Sequence, residues 1–408
     1  MTLMVILLST VSYTESAKIL AVYPVPSISH QSAFRPLTLE LIRRGHEVMV
    51  VTTDPIYPEG KTPENLTEIG VHDISYKIWR DIVKKSTGNK NDMAAQVAGI
   101  FELVNKVCDA QFETEEIKDI IRNKRNYFDI LLIESCVRPP LAFTHIMKVP
   151  VIQVSSFGNW IWNYEIAGAP THPILYPTMT NQRSYNLSLW EKILEVFNII
   201  LIKCITYITE ETDLEMMRKH FGDDLPNIKE LMDNVDMLFL NVHPIWENNR
   251  PVPANVVYMG GIHLKPPKEL PMSTDEAIAA GVPVIGTPML ADQWFNVENI
   301  VKNGIGLKLD IGTITEDALN DAIDKILSND SYEKNVARLR DLMYDQPQKP
   351  LDRAIRWIEH VLRHKSAKHL RSPAANMSML EYIQIEVITV VCVMALLFVM
   401  GNAPKELE

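Results

Sequence analysis

From Lys18 onward, short apolar runs alternate with stretches in which apolar residues recur at helical spacing. Lys18 to Tyr23 (KILAVY) reads as a strand, Pro24 to Gln31 as a loop, and Ser32 to Arg44 as a helix. Phe34, Leu37 and Leu41 fall on one face of that helix, and Gly45 supplies its stop. Glu47 to Thr52 follows as a second strand, ended by Asp54-Pro55. A strand, a helix and a second strand so closely joined make a βαβ unit with parallel strands and a right-handed crossover. Further strands are expected at Phe128 to Ile133, Pro150 to Ser155, Val235 to Asn241 and Asn255 to Met259, with a helix at Pro139 to Met147.

Other stretches are less regular. Residues 58 to 126 read as loops and amphipathic helices. Between Ser156 and Pro177, Phe157, Trp160, Trp162, Tyr164 and Tyr176 form either an apolar binding wall or core under a long loop. Trp190 to Tyr207 is a strongly apolar helix, read as core in preference to a membrane-surface element. The proline-rich segment from Pro251 to Pro271 reads as an interdomain linker. Beyond it, Ser273 to Ala280 is a short capped helix ended by Gly281, and Val282 to Ile285 a buried strand. Asp292 and Gln293 open the next helix, so they stand at the carboxyl end of a strand, where α/β sheets bind ligands. A strand at Gly306 to Asp310 and helices at Thr315 to Leu327, Ser331 to Tyr344 and Pro350 to His364 complete this part.

The ends and the charge narrow the class. Met1 to Ser16 carries an apolar run and small residues, as a cleaved signal peptide does. Ile383 to Gly401 is nearly free of polar residues and is expected to be a transmembrane helix with a short tail, giving a single-pass type I protein whose bulk lies in the lumen of the endoplasmic reticulum. Sequons at Asn65, Asn186, Asn329 and Asn376 permit that location and a glycoprotein. A net charge of −11 excludes a nucleic-acid-binding surface. Four cysteines with no CxxC give no zinc-ligand spacing. His360 and His364 are one helical turn apart, but HExxH and a third ligand are missing, and they read as a solvated face. The loop after the first strand lacks GxGxxG, which argues against a dinucleotide site. Neither a Walker loop nor GxSxG occurs.

Three motifs, in order, carry a resemblance. SHQSAFRPLTLELIRRGHEVMVVTTDP (Ser29 to Pro55), GGIHLKPPKELP (Gly260 to Pro271) and STDEAIAAGVPVIGTPMLADQWFN (Ser273 to Asn296) resemble segments of the animal UDP-glycosyltransferases, the glucuronosyltransferase-like kind with insect-type wording. The resemblance implies an α/β fold of two Rossmann-like domains of the GT-B type, acceptor site first and UDP-sugar site second. It places a signal peptide at 1–16, an acceptor domain at 17–250, a linker at 251–272, a shortened donor domain at 273–365, a juxtamembrane segment at 366–382, the membrane helix at 383–401 and a tail at 402–408. His30 matches the family's catalytic base, and Glu134 aligns with the acidic partner that orients it. Independently, an imidazole can take a proton from a hydroxyl near neutral pH. By the same resemblance Asp292 and Gln293 bind the sugar hydroxyls, Glu276 the ribose, and Ser273 lies near the diphosphate. The donor is a UDP-sugar acting as co-substrate, the acceptor is a small lipophilic hydroxyl compound of the detoxification type, and no metal or cofactor is implied. Homo- or hetero-oligomers with related transferases are a further expectation.

The chain also departs from the family pattern. Members carry a strand with a Gly-Ser turn, a WxPQ motif for uracil and an HGG motif for the phosphates between the second and third motifs. Here Pro271-Met272-Ser273 joins those motifs directly. A diphosphate needs a Gly-rich turn feeding a helix N-terminus. The expected function is therefore transfer of a hexosyl or glucuronosyl group, impaired by this gap. The competing reading is a non-catalytic membrane variant that binds acceptors or pairs with full-length relatives.

Overall fold

The computed structural model describes residues 16–83, 93–264, 274–289 and 292–401. The expected signal peptide, except for Ser16, and Ser273 lie outside these residues, as do linker residues 265–272 and the tail from 402.

The chain opens with β1 (Lys18–Tyr23), α1 (Ile28–Arg43), β2 (Glu47–Thr52) and β3 (Leu66–Gly70). Three helices follow, α2 (His72–Val83), α3 (Met93–Phe112) and α4 (Glu115–Asn123), and then β4 (Ile130–Glu134), α5 (Ala142–Met147) and β5 (Val151–Ser155). After α6 (Ile161–Ala167), α7 (Leu189–Phe221) and α8 (Ile228–Met232), the strands β6 (Val235–Leu240) and β7 (Val256–Tyr258) close a seven-stranded sheet. All its pairings are parallel, in the order β3-β2-β1-β4-β5-β6-β7. The order reverses between β1 and β4, which opens a crevice at their carboxyl ends.

Side-chain alternation decides what each face of this sheet meets. Ile19, Ala21 and Tyr23 of β1, with Ile130 and Leu132 of β4, pack on Phe34, Leu37 and Leu41 of α1. Leu20, Val22, Leu131 and Ile133 point the other way, toward Val104, Cys108 and Phe112 of α3. Both faces are covered, so the central strands read as continuous apolar runs. Strand β3 gave no such signal: its pattern LTEIG buries only Leu66.

The second unit is small. It contains α9 (Thr274–Ala280), β8 (Val284–Gly286), α10 (Gln293–Lys302), β9 (Gly306–Lys308), α11 (Glu316–Leu327) and α12 (Ser331–Tyr344). Its described sheet has two strands, β8 and β9, and its core is Ile278, Val297, Ile300, Ile305, Val336, Leu339 and Met343 with Trp246 from the first unit. The next helix, α13 (Pro350–His364), returns to the large sheet, where Ala354, Ile355, Ile358 and Val361 join α1. Arg44 at the end of α1 bridges Glu40 at 2.9 Å and Glu359 of α13 at 2.9 Å, fastening the two helices.

Three sequence expectations need correction. Helix α1 starts at Ile28, so His30 and Gln31 sit in its first turn and not in a loop. In α7 the inward face carries Glu195, Ile199, Ile202 and Thr206, while Trp190, Phe197, Ile200 and Ile208 are exposed; the apolar run is therefore only partly core. Toward the C-terminus, α14 (Met379–Tyr382) ends before α15 (Ile385–Gly401) begins, because Gln384 takes a left-handed backbone with φ 53°. The expected membrane span is thereby shortened to 17 residues. Among the described residues no helix is long and apolar enough to cross a membrane. All four cysteines are free.

Candidate active site

The site forms where β1 and β4 part. Glu134 is the last residue of β4 and continues the parity of Ile130 and Leu132, so it points to the α1 side of the sheet. His30 comes to meet it from the first turn of α1. His30 Nδ1 lies 2.6 Å from Glu134 Oε1, and the carboxylate is fully buried while the imidazole is largely so. Glu134 Oε2 accepts the backbone N–H of Val25 at 3.2 Å, and the Cys136 thiol donates to Oε1 at 3.2 Å. The tautomer that donates from Nδ1 of His30 to Glu134 is the one that leaves Nε2 as the accepting nitrogen.

Supporting residues hold each partner in place. Gln31 donates to the carbonyls of Tyr23 (3.1 Å) and Val25 (3.2 Å) and accepts from the Thr52 hydroxyl at 2.8 Å, tying the start of α1 to β1 and β2. The loop after β4 is held by Trp160, whose indole donates to the Cys136 carbonyl at 2.9 Å. Asn163 donates to the Ser135 carbonyl at 3.0 Å, and Asn159 to its hydroxyl at 2.9 Å. Of the aromatic segment, Trp160 and Tyr164 are buried core, and Phe157, partly buried against that core, meets the His30 ring edge-on at 5.2 Å. The sequence does not mark out Gln31 within the first motif, nor Cys136, which lies outside all three.

His30, Glu134 and Cys136 bring three metal-capable atoms within 4.8 Å of one another. Burial and the Glu134 charge push the Cys136 thiol well up, so it stays protonated and donates. A thiol in that state is a hydrogen-bond donor to Glu134 and a poor metal ligand.

Asp292, Gln293 and Glu276 lie in the small unit. Asp292 stands at the N-cap position of α10 without a side-chain cap bond and accepts from Asn296 at 2.9 Å. Burial raises its carboxyl above the usual range, opposed by Asn296 and His30. Gln293 follows it and accepts the Met289 N–H at 2.8 Å. Glu276 is half-buried in α9, beside Ile278 in the small core. The structure thus brings His30 and Glu134 together, with an electrostatic influence between His30 and Asp292.

A model of the family "UDP-glucoronosyl and UDP-glucosyl transferase" matches residues 17–276 and 272–405, in two pieces that meet where the second and third motifs abut. An ecdysteroid UDP-glucosyltransferase of Spodoptera littoralis nuclear polyhedrosis virus is 28% identical over 95% of this chain and 96% of its own. That alignment spans 496 positions against a chain of 408 residues, so at least 88 positions have no counterpart here. UDP-glucosyltransferase 2 of Dactylopius coccus is 23% identical, covering 93% of this chain and 90% of its own. Human UDP-glucuronosyltransferase 2B7 is 23% identical, covering 91% and 90%. Among solved structures, the glycotransferase of kitacinnamycin superposes with a TM-score of 0.50 at 14% identity, over 85% of this chain and 99% of that one. That likeness supports the GT-B arrangement of parallel α/β units.

Proposed function

The chain belongs to the UDP-glucoronosyl and UDP-glucosyl transferase family, and on that premise we propose that it transfers a hexosyl or glucuronosyl group from a UDP-sugar to a small lipophilic hydroxyl compound, with donor binding weakened by the shortened second unit. The observation that carries this reading is the 2.6 Å contact between His30 and buried Glu134 at the sheet's crevice.

In this mechanism Nε2 of His30 takes the proton of the acceptor hydroxyl while Glu134 holds the ring through Nδ1. The acceptor oxygen then bonds to the anomeric carbon, and the bond from that carbon to the UDP oxygen breaks, with the electron pair leaving on UDP. Attack opposite the leaving group inverts the anomeric centre. Phe157 offers an apolar ring beside the base, suited to the body of a lipophilic acceptor. The ecdysteroid in the viral relative's name is an acceptor of that kind. Asp292 and Gln293 would accept hydrogen bonds from the sugar hydroxyls, with Glu276 on the ribose and Ser273 near the diphosphate.

A second reading rests on the break in the family match at residues 272–276 and the two-stranded described sheet of the small unit. On that reading the chain binds acceptors without completing transfer. A glycosylation assay with UDP-glucose or UDP-glucuronate and a phenolic acceptor separates the two. Product that forms with the wild type and vanishes in His30→Ala supports transfer. Product unchanged by His30→Ala removes the base assignment, and no product with any donor leaves acceptor binding alone.

A further inference from the structure

Three histidines converge where α13 ends. His360 and His364 are one turn apart, with ring centroids 4.5 Å apart. The chain then reverses at Lys365, which takes a left-handed backbone with φ 55°, and a single 3-10 turn at Lys368–Leu370 follows. This reversal delivers the third histidine, which the sequence pattern lacked. His369 Nε2 lies 3.4 Å from His360 Nε2, and its ring centroid is 5.5 Å from that of His360 and 6.2 Å from that of His364.

A separation of 3.4 Å is long for a hydrogen bond between two imidazoles. It suits two nitrogens sharing a metal: with bonds of about 2.0–2.1 Å and tetrahedral angles, neighbouring ligand nitrogens stand roughly 3.3–3.4 Å apart. The ligand nitrogens of the three do not all lie within 4.8 Å of one another, so His364, exposed and one turn from His360 on the same helix, would have to rotate its side chain to join the pair, as histidines four apart on a helix do in zinc sites.

The frame around the three is fixed without any ion. Asp236 at the start of β6 accepts from the Ser366 hydroxyl and the Ala367 N–H, both at 2.7 Å. Arg371 donates to Asp233 at 2.7 Å, and buried Ile358 and Val361 seat α13 on the sheet. The donors are all imidazole. That set disfavours calcium and magnesium, which take oxygen ligands, and suits zinc, nickel or copper.

We propose that His360, His364 and His369 form a binding site for an imidazole-preferring divalent transition metal ion, clamping the end of α13 to the turn that follows it.

The test is a titration of Ni2+ into the full chain, prepared without a polyhistidine tag, followed by calorimetry at pH 7.5. One saturable site is expected, and His360→Ala and His369→Ala should each weaken it at least tenfold. His220→Ala, which disturbs the separate Asp109, Glu113 and His220 cluster, should leave it unchanged. A second readout does not depend on affinity. The Trp357 ring lies 5.1 Å from that of His360, so bound Cu2+ should quench its emission, identified by difference with Trp357→Phe, and the quenching should disappear in His369→Ala. Absence of saturable binding, or binding and quenching that survive His369→Ala unaltered, would overturn the assignment.

Discussion

Glu134 holds His30 at 2.6 Å across 104 positions of sequence, joining the end of β4 to the first turn of α1. The carboxylate has no access to solvent, and its other oxygen is taken by the Val25 N–H, so its orientation leaves one nitrogen of His30 for chemistry. Loss of the base should cost transfer about 10²- to 10⁴-fold, the usual worth of a positioned general base. Glu134→Gln should cost less than His30→Ala in kcat, because an amide keeps one accepting oxygen but sets an N–H against either Val25 or His30. Rates for both variants check the order; equal losses would mean Glu134 does more than orient.

Gln31 acts through His30. Its three hydrogen bonds to Tyr23, Val25 and Thr52 register the start of α1. Gln31→Leu is expected to lower kcat several-fold with little change in the acceptor KM, since the substrate's apolar contacts stay in place. A KM effect with kcat intact would move Gln31 from positioning to binding.

Arg138 and Asp213 form a buried pair at 2.7 Å between the loop after β4 and α7, with Asn105 also donating to Asp213 at 2.8 Å. Asp213→Ala strands a buried guanidinium, and the expected loss of stability is about 3–5 kcal/mol. Urea denaturation measures it; a change below about 1 kcal/mol would place water on the guanidinium.

Acid should loosen the junction of α1 and α13. Hydrogen bonding to Arg43, then to Arg44, holds Glu40 down from 4.5 to about 2 in the folded chain. A depressed carboxyl gives stability that is complete above its ordinary value and is lost as pH falls from there through about 2. Melting temperature should therefore fall with pH in that window, and Glu40→Gln should flatten the slope there without altering it near neutrality.

Gly306 is a close approach. A Cβ there would lie 1.8 Å from the Val284 carbonyl oxygen and 2.8 Å from Ile300. Gly306→Ala should separate β8 from β9 and expose the small unit to protease, while the seven-stranded sheet stays resistant. Limited proteolysis with mass analysis of the fragments reads this directly.

The large sheet was legible because its strands are buried on both faces and carry continuous apolar runs, as KILAVY and ILLIE do. Strand β3 was not, because an edge strand with one buried residue has no pattern to read. His30 and Glu134 came from motif wording, yet their contact depends on strand parity and on α1 beginning at Ile28, ahead of the Ser32 start that the sequence pattern gives. Cys136 lies outside the motifs and Gln31 is unmarked within the first, and their roles exist only after folding. The third histidine was hidden because a left-handed Lys365 reverses the chain, a turn that no glycine announces. The shortened C-terminal helix depends likewise on one residue, Gln384.

The central claim pairs a complete acceptor-activating dyad with a donor unit that is missing family positions between its motifs. Calorimetric titration of UDP into the purified chain tests it most directly. Binding no tighter than millimolar is the expected result, since the described donor unit offers a two-stranded sheet and the motifs for uracil and diphosphate are absent from the sequence. A saturable micromolar isotherm would contradict it.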